Sequence, residues 1–216
     1  MGPIRPTRDA ERTRAALLLA GRSAFAERGY EGARTQKIAD GAGVNKAMIN
    51  YYFGGKQGLF SAVLLDGLSD AISALAPLRR DEDPPMQRLS TFIDTMASFF
   101  RRSPDVVLIL VREQMGGARH IEPEVRRRFF AFFQTTREIL GEGLASGRIR
   151  DVDAHSTHLI LVGSLTYYLL TEPARATYAS HGDAPGEPPS WETHVRNVRE
   201  LFLRGLAAEQ LQKEER

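Results

Sequence analysis

Polar and aromatic side chains suited to phosphates and base edges are concentrated between residues 35 and 56. The long hydrogen-bond donors and phenols in this segment are Gln36, Lys37, Lys46, Asn50, Tyr51 and Tyr52, and apolar residues lie between them. Lysine, amide and phenol groups donate to phosphate oxygens, and lysine and amide groups also read base edges. The segment therefore predicts contact with nucleic acid, provided that the backbone presents these side chains together.

The intervening apolar residues predict such a backbone. They recur on one side of two short helices: Ile38, Ala39 and Ala42 in the first, and Val44, Ile49 and Phe53 in the second. Gly43 lies between the helices, and glycine adopts the left-handed conformation that a tight turn between crossing helices requires. The pattern predicts a helix-turn-helix, with Thr35 and Asn45 as the N-cap residues of its two helices.

The pattern T-x-x-I-A-x-x-A-G-V-N-x-x-x-I-x-Y-Y-F-x-x-K-x-x-L, from Thr35 to Leu59, resembles the DNA-binding domain of the TetR family of transcriptional regulators. The resemblance is close over residues 10–65 and extends further only in length and helical pattern. It implies phosphate contacts from Thr35, Tyr51, Tyr52 and Lys56, and base-edge contacts from Gln36, Lys46, Ala47, Met48 and Asn50. Asn50 and Met48 depart from the residues commonest in the family, so no relative's operator can be assumed.

The distribution of charge agrees with a DNA-binding N-terminus. The whole chain of 216 residues has a net charge of +2, but residues 1–60 hold ten Lys or Arg against five Asp or Glu, which leaves the remainder at −3. A basic head on a mildly acidic body is the pattern expected if only the head contacts DNA. A merely solvated basic face is the alternative.

Composition also limits the other classes of protein. Cysteine is absent, which excludes disulfides and thiolate metal sites. No apolar secretory segment follows the N-terminus. The longest apolar segment found, Leu159 to Leu170, is shorter than the roughly 20 residues that span a bilayer. We therefore expect a soluble, cytoplasmic protein with no membrane span.

The whole chain is predicted to be all-α, with a three-helix DNA-binding head and a larger helical body. The predicted divisions are a flexible basic arm (1–8), the helix-turn-helix domain (9–56), an effector-binding and dimerisation domain (57–208) and a frayed tail (209–216). A first helix should run from Asp9 to Gly29, and a long one from Lys56 to about Ala76, where Pro77 stops it. Asp83 is predicted to cap the next helix.

The apolar run VVLILV, residues 106–111, is ambiguous because six apolar residues also suit a buried strand. Helix is favoured, because flanking residues give capping signals and no second strand lies nearby. Further helices are predicted at 123–146, 154–171 and 191–208, with a flexible loop at 179–190.

The predicted helix 154–171 has almost no polar face, so two sides of it must be covered. Its own subunit can cover one side, and a second copy of the chain is the simplest cover for the other. Together with the amphipathic helix 191–208 it predicts a homodimer through a bundle of two helices from each subunit.

The family resemblance implies a small-molecule effector in the body, and the surplus of aromatic residues there suggests which side chains enclose it. Apolar candidates are Phe92, Met96, Phe99, Ile109, Phe129, Phe133, Leu161 and Tyr168, and the polar groups that would orient the ligand include Arg112, Glu113, His158 and Tyr167. Such a lining suits a hydrophobic or aromatic molecule. Ordinary core packing is the alternative for each residue.

Other chemistry has little support in the sequence. Asp151, His155 and His158 have spacings that suit metal ligands, but histidines bordering the dimer face or pocket are the better interpretation, so no metal site is predicted. There is no G-x-S-x-G motif or paired acid–base set, so we expect no enzyme, no catalytic residue and no cofactor.

The sequence thus predicts a ligand-responsive repressor that binds a palindromic operator as a homodimer. The alternative is a helical small-molecule- or metal-binding protein whose head docks protein rather than DNA.

Overall fold

The computed structural model describes residues 8–78, 83–182 and 186–208, and the described part of the chain is helical without a β-strand. Its helices are α1 (Arg8–Gly32), α2 (Thr35–Gly41), α3 (Ala47–Phe53), α4 (Lys56–Leu78), α5 (Pro85–Arg102), α6 (Pro104–Met115), α7 (Pro123–Ala145), α8 (Ala154–Leu170), α9 (Glu172–His181) and α10 (Trp191–Leu206). The all-α prediction is confirmed. The predicted basic arm, apart from residue 8, and the predicted tail lie outside the described residues.

The chain divides into two compact units. The first unit comprises Met1–Ser69 and Asp105–Arg127, and the second comprises Asp70–Pro104 and Arg128–Arg216. Helix α4 contributes its beginning to the first unit and its end to the second. The first unit therefore combines the N-terminal helices with α6, whereas the boundary after residue 56 remains a sequence-based prediction.

The core of the first unit holds the helix-turn-helix in place. Its fully buried side chains include Leu17, Phe25, Ile38, Ile49, Leu59 and Phe60. The rings of Phe25 and Phe60 meet edge to face at 4.9 Å, and Gly21 leaves room for Leu59 against α1. Helix α1 also packs against α2, so it braces the helix-turn-helix from behind as the apolar stripe predicted.

The end of α1 contains the predicted break. Gly29 has φ 66° and ψ 178°, outside the helical region, and a short helical segment resumes up to Gly32. This left-handed residue is where the sequence placed the helix end. The conformation turns the chain so that Tyr30 and Glu31, which follow it, reach the beginning of α4.

Helix α4 is the one described helix that is long and apolar enough to cross a membrane by length and composition alone. The longest apolar segment noted in the sequence, Leu159 to Leu170, lies in α8 instead. Four of its apolar side chains, Leu59, Phe60, Leu64 and Leu68, are fully buried within the protein. A core helix of this kind meets the same criterion, so its composition reflects packing. Pro77 lies in its last turn and does not stop the helix at Ala76 as predicted.

In the second unit, α5, α8 and α10 pack against one another. Buried side chains from each helix form this core: Leu89, Phe92 and Ile93 from α5, Leu161 and Leu165 from α8, and Val198 and Leu206 from α10. The prediction of Asp83 as N-cap is wrong. The N-cap is Pro84, and the Asp83 carboxylate instead accepts a hydrogen bond from Gln87.

Two further segments test the helix predictions. The ambiguous run 106–111 lies inside α6, so the strand alternative is excluded. Helix α9 was not predicted, and its last residues lie in the segment expected to be a loop. It has no buried residue, so it lacks the apolar stripe by which a helix is recognised in a sequence.

Candidate nucleic-acid interface and effector site

The turn between α2 and α3 has the geometry that the sequence predicted. Gly43 adopts φ 68°, and the Val44 amide donates to the Ala39 carbonyl at 3.0 Å. Ala39 and Ile49 are buried at 0 % and 1 % exposure, so the two helices close on each other across the small residue. The close approach confirms the helix-turn-helix.

The two helix starts differ. At the start of α3 the side-chain oxygen of Asn45 accepts a hydrogen bond from the Ala47 amide at 2.8 Å, but the N-cap position is Lys46, so the prediction of Asn45 as N-cap is wrong by one residue. Thr35 is not an N-cap: α2 already begins at Thr35, and the N-cap position is Arg34, whose backbone is extended. The chain thus enters α2 one residue earlier than the capping pattern suggested, and no side chain caps that helix.

The predicted DNA-contacting residues are all accessible to solvent. We define the base-reading face as Gln36, Lys46, Ala47, Met48 and Asn50. Four of these residues are exposed, and Met48 is half-buried. Tyr51 is 76 % exposed, and its ring meets that of Tyr52 edge to face at 4.9 Å. Gln36 donates to Asp40 at 2.8 Å, so reading a base requires it to exchange that partner.

Helix α1 holds Lys56, the last of the predicted phosphate contacts. Its ammonium nitrogen lies 4.5 Å from the centre of the Tyr30 ring and 3.4 Å from the carbonyl oxygen of Glu31. An ammonium over an aromatic face gains roughly 0.5–1 kcal/mol at an exposed site. Lys56 therefore has defined partners at the beginning of α4, and its contact with DNA remains a prediction.

The predicted effector residues are divided between the two units. Ile109, Arg112 and Glu113 belong to the first unit, where the two polar ones have internal partners. Arg112 donates to the Ala26 carbonyl at 2.5 Å. Glu113 is 8 % exposed and pairs with His120. Both polar groups thus stabilise the first unit, a use that the sequence did not reveal.

The remaining effector candidates belong to the second unit. Phe92, Met96, Phe99 and Leu161 are buried in its core, whereas Phe129, Phe133, His158 and Tyr168 are half-buried. The Tyr168 hydroxyl donates to the Pro189 carbonyl, and its ring stacks on His194 with 4.4 Å between ring centres. Whether these residues contact an effector remains a prediction.

Tyr167 does not fit the predicted lining. It is 73 % exposed and shares the outer side of α8 with Leu159 and Ile160. Residues 160 and 167 are separated by two helical turns, which places their side chains on one face. That face points away from the core of the second unit, so Tyr167 is available to a surface contact.

A polar pair sits beside the aromatic residues of α7. The hydroxyl of Thr136 and Nδ1 of His158 are 2.9 Å apart, and the His158 ring meets Phe133 at 5.5 Å. Burial, with a smaller effect of His155, lowers the pKa of His158 to about 4. His158 is consequently neutral at pH 7 and offers hydrogen bonding without charge.

The histidines of the candidate metal site have other neighbours. His155 contacts the Phe133 ring at 5.1 Å, while His158 pairs with Thr136. Among the residues that the structure describes, no three His, Cys, Asp or Glu side chains are grouped so that they hold a metal ion.

Comparison with known proteins adds family information to this geometry. Residues 17–63 match the model of bacterial regulatory proteins of the tetR family, and residues 85–201 match a tetracyclin repressor-like C-terminal domain. The transcriptional repressor NicS of Pseudomonas putida is 33 % identical over 162 residues, covering 74 % of this chain and 76 % of NicS. The transcriptional regulator RutR of Escherichia coli is 25 % identical over 193 residues, covering 88 % and 89 %.

Solved structures share the fold. The TetR family transcriptional regulator PfmR from Thermus thermophilus superposes with a TM-score of 0.65 at 24 % identity, covering 87 % of this chain and 97 % of PfmR.

Proposed function

Since this chain belongs to the TetR family of bacterial regulatory proteins, and is therefore a ligand-responsive, DNA-binding transcriptional regulator and not an enzyme, we propose which of its surfaces perform each step. The observation that carries the proposal is the closed helix-turn-helix with an exposed base-reading face. We take its role to be repression, as in the related NicS. Its place of action is the cytoplasm, where bacterial DNA lies.

Two sets of residues contact different parts of the operator. Thr35, Tyr51, Tyr52 and Lys56 contact phosphates and fix the position of α3 in the major groove. The base-reading face distinguishes the base pairs. Met48 and Asn50 lie on that face and differ from the residues commonest in the family, so they give this chain an operator preference of its own.

Substitutions separate these two roles. Lys56→Ala or Tyr51→Phe should weaken binding to every duplex, because a phosphate contact carries no sequence information. Gln36→Ala or Asn50→Ala should instead relax the preference at particular base pairs, by about 1–3 kcal/mol each.

Binding of each variant to the operator and to random DNA is the measurement, with Arg137→Ala on the exposed side of α7 as the control. Equal losses on both DNAs from all four variants would defeat the assignment. The alternative function, a head that docks protein, predicts that none of them changes DNA binding.

The homodimer forms through α8 and α10, which pack against each other in the second unit. Large apolar side chains on the outer side of these helices are exposed: Leu159 at 58 %, Ile160 at 64 %, Tyr167 at 73 % and Leu201 at 73 %. Gly163 lies on the same side of α8, and a Cβ added there would meet nothing within 4 Å. A second copy that covers this surface buries all four side chains and approaches closely at the glycine.

The effector is a small hydrophobic or aromatic molecule bound among the aromatic side chains of the second unit. Neutral His158 beside Phe133 orients it through a hydrogen bond. Helix α4 takes part in both units, so a shift of its second part on ligand binding displaces the helix-turn-helix. The ligand must bind the two states unequally for this switch to operate.

A screen of uncharged aromatic molecules for release of bound operator identifies the effector. The protein must also regain its affinity for the operator when the molecule is removed. His158→Phe preserves an aromatic side chain and removes the hydrogen bond, so it should weaken the response without weakening operator binding in the absence of ligand. An unchanged response in this variant would exclude His158 from the effector site.

A further inference from the structure

The connection between α6 and α7 adopts an unusual backbone conformation. Gly117 has φ 82°, and the next residue, Ala118, has φ 54°. A residue with a Cβ is uncommon in this left-handed region and stays there only when its surroundings hold it. The Ala118 amide donates to the Glu113 carbonyl at 2.6 Å, which fixes the turn at the end of α6. The turn directs His120, two residues later, toward α1.

His120 joins three helices of the first unit through direct contacts. Its Nδ1 lies 3.1 Å from the Glu113 carboxylate of α6, and its Nε2 lies 3.0 Å from the Glu31 carboxylate of α1. Its backbone carbonyl accepts a hydrogen bond from the Gln57 side chain of α4 at 2.8 Å. One loop residue thus connects the bend after Gly29 with the beginning of α4.

His120 and Lys56 are held by the same two residues. The His120 ring stacks on Tyr30 with 4.0 Å between ring centres and an angle of 19° between planes. Lys56 lies over the same Tyr30 ring, and its ammonium also donates to the backbone carbonyl of Glu31. The position of Lys56 consequently depends on Tyr30 and Glu31, both of which His120 contacts.

The surroundings of Tyr30 favour a cation. Burial raises the pKa of the Tyr30 hydroxyl, and the nearby carboxylates Glu31, Glu113 and Glu122 raise it further. This negative local field attracts the Lys56 ammonium toward the Tyr30 ring as well. Two independent interactions, one with a backbone carbonyl and one with an aromatic face, therefore restrict a side chain that is otherwise flexible.

We propose that His120 is a positioning residue for operator binding: by fixing Tyr30 and Glu31 it holds the Lys56 ammonium where it meets a DNA phosphate. A long lysine side chain that is not held in this way occupies other conformations, so its phosphate contact, and the counterion release that the contact causes, is lost from part of the complexes. The inference rests on the proposed phosphate contact of Lys56, and goes beyond it by assigning a DNA-binding role to a residue outside the helix-turn-helix.

A double-mutant cycle between His120 and Lys56 tests the inference through the salt dependence of operator binding. Each phosphate contact contributes about 0.9 to the slope of log affinity against log salt, or about 1.8 for two subunits. The salt concentrations 50 and 200 mM differ by a factor of about four. Lys56→Ala should therefore reduce the ratio of operator affinity at 50 mM to operator affinity at 200 mM by about 12-fold.

His120→Ala should reduce the slope in the same direction, and should change neither slope nor affinity further when Lys56→Ala is already present. A residue that only stabilises the fold would lower binding equally in both backgrounds and leave the slope unaltered. Glu31→Ala provides a second variant in case His120→Ala does not fold, because the Glu31 side chain is 83 % exposed and its backbone carbonyl remains. In this variant the slope is the quantity compared, and it should also fall; affinity alone is not compared, because removal of an acidic side chain near DNA by itself favours binding.

His181→Ala, which removes an exposed histidine of α9, is the matched control and should bind as the unaltered protein does. If Lys56→Ala leaves the slope unchanged, the phosphate contact of Lys56 and the inference both fail. If Lys56→Ala lowers the slope but the folded His120→Ala or Glu31→Ala variant does not, or if the effects of His120 and Lys56 add, the inference alone fails.

Discussion

The third residue of α4, Gly58, lies against the end of α3. A Cβ built at this position would lie 1.7 Å from the backbone oxygen of Phe53 and 2.9 Å from its carbonyl carbon. Phe53 is the last residue of α3. The missing side chain therefore allows the first turn of α4 to approach the helix that carries Met48 and Asn50.

Replacing Gly58 with alanine should lower both stability and operator affinity. Real Cβ contacts are essentially never shorter than 3.0 Å, so the Phe53 carbonyl must retreat by about 1.3 Å. Alanine gains about 0.8–1 kcal/mol over glycine within a helix. Overpacking of a closely packed site costs roughly 1–3 kcal/mol or more, and here a backbone group has to move. A net loss of about 2 kcal/mol corresponds to a melting temperature about 4–8 °C lower for a chain of this length.

Thermal unfolding and operator titration of the Gly58→Ala variant measure the two effects. Gly141→Ala is the matched control, because Gly141 is also helical and a Cβ there would meet nothing within 4 Å. The control should gain up to about 1 kcal/mol and bind the operator normally. If Gly58→Ala melts and binds as the control does, neither stability nor operator binding requires the close approach of α3 and α4.

Two other outcomes are expected in the second unit. Because burial lowers the pKa of His158 from 6.5 to about 4, the unfolded chain takes up a proton more readily and the free energy of unfolding should fall as pH decreases from 6.5 toward 4. Because His158 is partly exposed, we expect the free energy of unfolding to fall by only about 1–2 kcal/mol over this range. Urea titrations of His158→Gln should show a weaker dependence of this free energy on pH. Ile160→Glu should yield monomers by light scattering and weaken operator binding, whereas Leu144→Glu on α7 should remain dimeric; a dimeric Ile160→Glu protein would contradict the interface.

The helix-turn-helix was predictable because its determinants are local. Ala39, Gly43 and Ile49 lie within eleven residues, and each acts through size or backbone conformation that its residue type dictates. The flanking helices followed from apolar periodicity for the same reason. Even the ambiguous segment in α6 could be assigned, since a strand requires a partner and the sequence supplied none.

The errors arose where neighbours distant in sequence, or the absence of a periodic signal, decide the structure. Arg112 and Glu113 have partners, Ala26 and His120, that lie on α1 and in the α6–α7 connection, whereas their predicted role as ligand-orienting groups remains a prediction. No local sequence pattern predicts contacts between residues so distant in sequence. Helix α9 escaped prediction because none of its residues is buried. The exposure of Tyr167 depends on which side of α8 faces its own subunit, and apolar residues occur on both sides of that helix.

Selection of bound duplexes from a random DNA pool, carried out with the purified protein at two salt concentrations, shows whether this chain reads DNA as a dimer. We expect enrichment of an inverted repeat whose half-sites match the two base-reading faces of a dimer. We also expect affinity for the enriched sequence to decrease steeply as salt rises. A pool without enrichment, bound weakly and without salt dependence, would contradict the claim that this chain reads DNA.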